Sequence, residues 1–256
     1  MPSAVDQGVS DATESLITPS SGASYTRSSW YPRYVLGMLV LAYVLNFVDR
    51  NLMSVLVEPI KADLGINDLQ MGLMGGFSFA LLYCLAGIPI ARWADSGNRR
   101  SIIAWGIAVW SVMTMVCGMA RSYPQLLLAR VGVGVGEAAC SPPSHSLIAD
   151  YFPPEKRATA LAIYSMGVPI GVMIGFLCGG WIEYYFDWRT AFIVVGAPGI
   201  LVAIIMRFTV AEPIRGRFEK VKKSSDRLGV MAVMKELAGM KSFVYLQVGN
   251  AFFAFA

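Results

Sequence analysis

The chain has 256 residues, of which 55% are hydrophobic and only 15% are charged. Soluble domains carry about 25% charged residues, so this composition argues against a soluble protein. The formal net charge of +4 does not by itself indicate a nucleic-acid-binding protein, because no basic stripe with interleaved aromatic residues occurs.

Residues 1–29 are rich in Ser, Thr and Gly and contain no apolar run, which predicts a disordered tail rather than a signal peptide. A helix of about 20 apolar residues crosses a hydrocarbon core of about 30 Å. Seven apolar segments are therefore predicted as membrane spans, numbered first to seventh: residues 34–57, 69–91, 101–120, 124–149, 158–182, 190–206 and 242–256. The seventh is short and still apolar where the sequence stops, so we expect a truncated chain.

The distribution of Lys and Arg predicts the orientation of these spans. Sixteen of the 21 basic residues fall in the tail, in the loops after the second and fourth spans, and at or beyond the end of the sixth. The opposite side has only Lys61, Arg121 and Arg189. The positive-inside rule places the basic side, and with it the amino terminus, in the cytoplasm. The compact loops and the lack of a glycosylation sequon favour a bacterial inner membrane.

The expected domains follow from loop length. A six-span bundle at 30–210 follows the cytoplasmic tail at 1–29, and a charged cytoplasmic linker at 211–240 leads to the start of a seventh span at 241–256. Six closely connected helices followed by a long linker are typical of transporters built from two bundles. In such folds each six-helix bundle consists of two inverted three-helix repeats.

Ionisable residues occur inside the first and fourth predicted spans. Asn46, Asp49 and Arg50 share one face of the first, and Arg130 and Glu137 are two turns apart in the fourth. An ionised side chain at the bilayer centre costs on the order of 2.5–3.5 kcal/mol. Two acids and two arginines form a neutral set, so we expect them to meet and pair.

The charged set has two interpretations. It is either a structural network that locks the first and fourth spans together or a water-accessible transport site. In the second case Glu137, among Gly, Val and Ala, favours its neutral form and carries the proton, with Asp49 as its coupled partner. Arg50 and Arg130, with Asn46, then bind an anionic substrate group, which the planar guanidinium suits.

The loop after the second span contains a second motif. Asp95 is followed at four and five positions by Arg99 and Arg100, a charge pattern that can bridge helix ends and hold one conformation. The motif resembles the loop signature of the major facilitator superfamily, Gly-x-x-x-Asp-x-x-Gly-Arg-Arg, with Ala91 and Asn98 in place of the two glycines. With these two departures the loop resembles the corresponding motif of the Spinster-like branch of that superfamily.

Other segments share this resemblance. The residues Asn46-Phe-Val-Asp49-Arg50 and the run from Arg130 to Glu137 are similar to Spinster-type signatures, and the likeness extends over residues 34–216. It implies an all-α membrane protein with the major facilitator fold, of which this chain is the amino-terminal half of twelve helices. It also implies a proton-linked carrier of amphipathic lipids that works by alternating access.

Glycines recur every four residues in the fifth span, at Gly167, Gly171, Gly175 and Gly179. Small residues at this spacing favour a static packing face between helices. The family resemblance adds a gating role for the first three. The aromatic residues Tyr43, Phe79, Tyr83 and Tyr164 are candidates for a cavity lining, with Tyr43 in contact with substrate, although packing or lipid-facing roles are the alternative.

The resulting hypothesis is a proton-coupled secondary transporter of a lysophospholipid or sphingoid lipid. A carrier of a small organic anion is the alternative, because anion symporters of the same superfamily also have an Asp-Arg pair in the first span. No nucleophile–base set, metal-ligand cluster or nucleotide loop occurs in the sequence. We therefore expect neither an enzyme nor a cofactor or metal, and we expect a monomer whose partners are its solute, protons and the bilayer.

Overall fold

The structure is a computed structural model that describes residues 30–218 and 236–255, without the side chains of 77–80 and 250–255. No strand occurs in these ranges. The described helices are α1 (Tyr31–Val55), α2 (Val57–Leu64), α3 (Asp68–Gly72), a π-helical turn (Leu73–Phe77), α4 (Ser78–Ser96), α5 (Arg99–Met119), α6 (Tyr123–Ala138), α7 (Ser141–Tyr151), α8 (Pro154–Ser165), α9 (Gly167–Tyr185), α10 (Trp188–Thr209) and α11 (Lys241–Phe255).

Five helical stretches are long and apolar enough to cross a membrane: Tyr31–Val55, Asp68–Ser96, Arg99–Met119, Pro154–Tyr185 and Trp188–Thr209. They correspond to the first, second, third, fifth and sixth predicted spans. The prediction of an all-helical membrane fold is therefore confirmed.

The predicted fourth span is interrupted, because α6 ends and α7 begins on either side of residues 139–140. Pro142 and Pro143 have no amide hydrogen, so two helical hydrogen bonds are missing here. The amide of Cys140 instead donates to the carbonyl of Glu137, only three residues earlier, at 3.0 Å. The span thus consists of two helices that meet at a joint directly after Glu137.

The first and fifth spans pack closely along the glycine stripe of α9. A Cβ atom on Gly171 would lie 2.6 Å from both the Val44 carbonyl oxygen and the Phe47 Cβ. At Gly175 it would lie 3.0 Å from the Val48 carbonyl oxygen. Only glycine permits this backbone approach, which fixes α1 against α9.

The third and fourth spans approach each other in the same way. A Cβ atom on Gly136 would lie 2.6 Å from the backbone nitrogen of Trp110, and one on Gly106 would lie 2.9 Å from the Gly136 carbonyl oxygen. The third span also packs on the sixth, where Gly199 would place a Cβ atom against Ser111. Polar groups on α5 and α6 thereby come within reach of α1.

The described residues 30–218 belong to one compact unit, and the described residues 236–255 belong to a second. The second unit contains α11, in the region predicted as the start of the seventh span. The predicted tail at 1–29 and most of the predicted linker lie outside the described residues, so both stay predictions.

Candidate functional site

The four charged residues predicted inside the membrane come together between α1 and α6. The Nη2 atom of Arg50 donates to Oε2 of Glu137 at 2.6 Å, and its Nε donates to the same oxygen at 3.2 Å. Among the described residues, the other carboxylate oxygen of Glu137, Oε1, is buried and has no hydrogen-bond partner. The carboxylate is therefore held on one oxygen and open to protonation on the other.

Asp49 forms a second, separate contact with the same helix. Its Oδ1 accepts from Nη1 of Arg130 at 3.4 Å, and its Oδ2 accepts a short hydrogen bond from the hydroxyl of Thr114 on α5. Asp49 thus pairs across the bundle instead of with its sequence neighbour Arg50. Thr114 was not predicted, although a Thr at mid-depth of the apolar third span was a signal that could have identified it.

Solvent access divides the four groups. The side chains of Asp49, Arg130 and Glu137 are at most 3% exposed, whereas that of Arg50 is 33% exposed. Leaving one member of a buried ion pair without its partner costs about 3–5 kcal/mol, so both pairs hold α1 and α6 together. Arg50 is the group that a solute can reach.

Aromatic rings surround the exposed arginine. Its guanidinium carbon lies 5.1 Å from the ring centroid of Phe47 and 5.2 Å from that of Tyr83. Tyr43, about two turns before Arg50 in α1, is half-buried and stacks on Tyr164 with 4.3 Å between ring centroids. Tyr164 is fully buried, which fits the packing alternative for this residue. The cavity lining stays a prediction, and the side chain of Phe79 lies outside the described residues.

Asn46 is buried on the same face of α1 as Asp49. In the described part of the chain its Nδ2 has no hydrogen-bond acceptor. Buried polar groups nearly always have a partner, so this amide is available to a bound molecule or water. Within the described residues, no group of three His, Cys, Asp or Glu side chains is placed to hold a metal ion.

A second charged cluster, the linker-end cluster, consists of Arg99, Arg100, Asp150, Glu212 and Arg215. It lies where α4, α7 and α10 end and α5 begins. Arg99, although only 1% exposed, pairs with Asp150 at 2.5 Å and with Glu212 at 2.7 Å. Arg100 donates from its backbone to Glu212 at 3.0 Å and from Nη1 to the Val210 carbonyl at 3.0 Å.

The linker-end cluster differs from the predicted motif in the partners of its arginines. The predicted acid of the motif, Asp95, is exposed, and its carboxylate pairs with no described residue. Its backbone carbonyl, with those of Ala94 and Gly97, accepts from Arg215. Arg215 therefore caps the carboxyl end of α4, where a positive charge is favourable.

The three glycines predicted to gate, Gly167, Gly171 and Gly175, all face α1. A Cβ atom on Gly167 would lie 3.0 Å from the Tyr43 ring. This arrangement supports the packing interpretation of the stripe, and the gating role stays a prediction.

Three comparisons place the chain among known proteins. A sequence profile of the Major Facilitator Superfamily matches residues 39–256. The crystal structure of a bacterial homolog of the human lysosomal transporter Spinster, inward-facing and unoccupied, is 42% identical with a TM-score of 0.77. The match covers 88% of this chain and 53% of that one.

Two curated relatives are also similar. An MFS-type efflux pump of Mycolicibacterium smegmatis is 40% identical over 68% of this chain and 41% of its own length. A probable galactarate/D-glucarate transporter of Bacillus subtilis is 29% identical over 77% of this chain and 43% of its own length. The chain therefore spans less than half the length of these two curated relatives.

Proposed function

This chain belongs to the Major Facilitator Superfamily, in its Spinster-like branch, and we propose that it forms part of a proton-coupled secondary transporter of an amphipathic lipid. The substrate class is a lysophospholipid or sphingoid lipid. The transporter works by alternating access, the two halves rocking around a central site.

The observation that carries the proposal is the contact between Arg50 and Glu137. Two of the three guanidinium nitrogens of the partly exposed Arg50, Nε and Nη2, donate to one oxygen of the buried Glu137 carboxylate, and the other oxygen accepts no hydrogen bond from the described residues. When an anionic substrate group pairs with Arg50 and displaces Glu137, the Glu137 carboxylate becomes a buried, unpaired charge. That state is costly unless the carboxylate is protonated. Substrate binding and proton uptake are thereby coupled through one ion pair.

The surroundings of Arg50 favour an amphipath over a fully hydrophilic anion. Phe47 and Tyr83 place aromatic rings about 5 Å from its guanidinium carbon. A phosphate suits the planar arginine fork, and an apolar chain suits the ring faces. Asn46 supplies a further buried donor nearby on α1.

We also propose that the protein lies in a bacterial inner membrane, with its amino terminus and the linker-end cluster in the cytoplasm. The concentration of Arg and Lys on that side supports this orientation. The probable galactarate/D-glucarate transporter among the relatives favours a small organic dianion as the second candidate substrate.

The test is uptake into sealed vesicles that contain the protein, with and without a pH gradient. One arm supplies a radiolabelled lysophospholipid and the other galactarate. We expect gradient-driven uptake of the lysophospholipid, and loss of at least tenfold in Glu137→Gln. The exposed acid Glu58, 80% exposed, provides the matched control Glu58→Gln, which should transport normally.

Two results would contradict the proposal. Gradient-driven accumulation that persists in Glu137→Gln would remove this carboxylate from coupling. Uptake of galactarate alone would replace the lipid with the organic anion while leaving the coupling scheme intact.

A further inference from the structure

A groove separate from the charged site runs along the contact between α5 and α10. Its cavity volume is about 170 Å³, and apolar side chains line it, including those of Trp105, Ala108, Ile204 and Phe208. Arg207 is the charged residue among the described groove residues. The groove includes neither Arg50 nor Glu137.

The groove lies at the depth of a membrane interface. Trp105 is six residues from the start of α5, about 9 Å at 1.5 Å per residue. Arg207 is two residues from the end of α10. Trp and Arg prefer this depth, where a ring meets the hydrocarbon edge and a charge reaches the headgroups. Trp105 is 65% exposed and Phe208 is 80% exposed, so the lining is open to whatever surrounds the bundle.

Size and charge identify the occupant. The cavity is smaller than the roughly 300 Å³ at which pockets for whole small molecules begin, so it accepts part of one chain. Arg207 forms no ion pair with any acidic side chain in the described part of the protein. Arg100, which binds the Val210 carbonyl, adds a second positive charge at the same end.

We propose that this groove binds an anionic phospholipid of the adjoining leaflet as a resident, non-transported ligand. One acyl chain lies in the groove against Trp105 and Ala108, and the phosphate pairs with Arg207. The bound lipid covers the seam between the third and sixth spans. A zwitterionic lipid lacks the net negative charge and is held more weakly.

The test is native mass spectrometry of the purified full chain with equal amounts of phosphatidylglycerol and phosphatidylcholine. We expect phosphatidylglycerol to be retained preferentially. Arg207→Gln should lower its affinity about fivefold, since one basic residue near an anionic surface contributes about 1 kcal/mol. Arg33→Gln, which removes an exposed charge at the start of α1 and outside the groove, is the matched control and should lower the affinity clearly less than Arg207→Gln does. Ala108→Phe should fill the groove and reduce retention of both lipids.

A second measurement locates the lipid. Phosphatidylglycerol with brominated acyl chains should quench the part of the fluorescence that Trp105→Phe removes, and Ala108→Phe should abolish this quenching. Equal effects of Arg207→Gln and Arg33→Gln would overturn the proposal. So would unquenched Trp105 fluorescence, whether the groove is then empty, closed by another segment or covered by a second copy. These readouts do not involve transport, so they stand apart from the test of the carrier.

Discussion

Asp49 and Arg50 are adjacent in sequence yet bind different partners, because neighbouring residues on an α-helix point about 100° apart. Asp49 faces Thr114 and Arg130, and Arg50 faces Glu137 and the solvent-accessible side. The sequence predicts that these charges are neutralised, since unpaired charges are costly in a membrane. The choice of partner depends on side-chain direction and on a donor from a third helix, which charge counting does not provide.

The Asp49 contact yields a stability prediction at the level of single residues. Asp49→Asn should destabilise the protein by about 3–5 kcal/mol, because it leaves Arg130 as a buried cation without its acid. Thr114→Val should cost only about 1–3 kcal/mol, since it removes one hydrogen bond to the carboxylate. Thermal unfolding of the detergent-solubilised protein would measure both.

The double variant Asp49→Asn with Arg130→Gln provides the control. Removing both charges should recover part of the stability lost in Asp49→Asn alone. If the stability losses of the single variants Asp49→Asn and Arg130→Gln simply add in the double variant, the ion pair does not stabilise the contact between α1 and α6.

At the scale of helices, the glycine stripe of α9 fixes the position of α1. The four-residue spacing predicts close packing, but it does not identify the facing helix. The structure identifies it, because the stripe residues would drive a Cβ atom into the backbone or side chains of α1.

Gly171→Ala should therefore destabilise the protein by about 1–3 kcal/mol, the cost of overpacking a contact that cannot move apart freely. Gly180→Ala, on the same helix, is the matched control because a Cβ atom there meets nothing within 4 Å. Thermal unfolding compares the two. Equal stability of both variants would show that α1 and α9 separate without cost.

The start of α10 depends on a capping carboxylate outside the membrane. Asp187 accepts a hydrogen bond from the Thr190 amide at 2.6 Å, and this bond lowers the pKa of the carboxyl below its ordinary value of 3.8. A lowered folded-state pKa means that the stabilisation is fully present above the ordinary value and is lost as the pH falls through the folded one.

Asp187→Ala should cost about 1 kcal/mol at neutral pH, as expected for the loss of an N-cap. The difference in melting temperature from the parent protein should shrink below pH 4. A difference that stays constant down to pH 3 would mean that the charged cap contributes nothing.

At the scale of the whole bundle, the linker-end cluster ties the segment after the sixth span to three helix ends. Arg99→Gln should release this segment, because Asp150 and Glu212 would lose a shared, nearly buried cation. Hydrogen exchange at residues 211–216 should become at least tenfold faster. Arg92→Gln, which removes an exposed arginine on the preceding helix, should leave exchange unchanged.

The sequence predicts the number and limits of most spans, because hydropathy and loop charge follow directly from the physics of the bilayer. It does not show that the fourth span, predicted at 124–149, is divided into two helices at residues 139–140, just before Pro142 and Pro143. It also does not identify Asp150 and Glu212 as the acids that pair with Arg99, and the gating role of Asp95 stays a prediction. Such partners are distant in sequence and become visible only when the helix ends are positioned in space.

The interruption at residues 139–140 has a mechanical consequence. Glu137 is attached to the last turn before the joint, and Asp150 belongs to the segment after it. Because two backbone hydrogen bonds are missing there, bending at this point meets less resistance than elsewhere in the helix. A change in bend angle would tilt the Glu137 carboxylate relative to the end of α7 that binds Arg99 through Asp150. A movement at one end of the fourth span would therefore change the contacts at its other end.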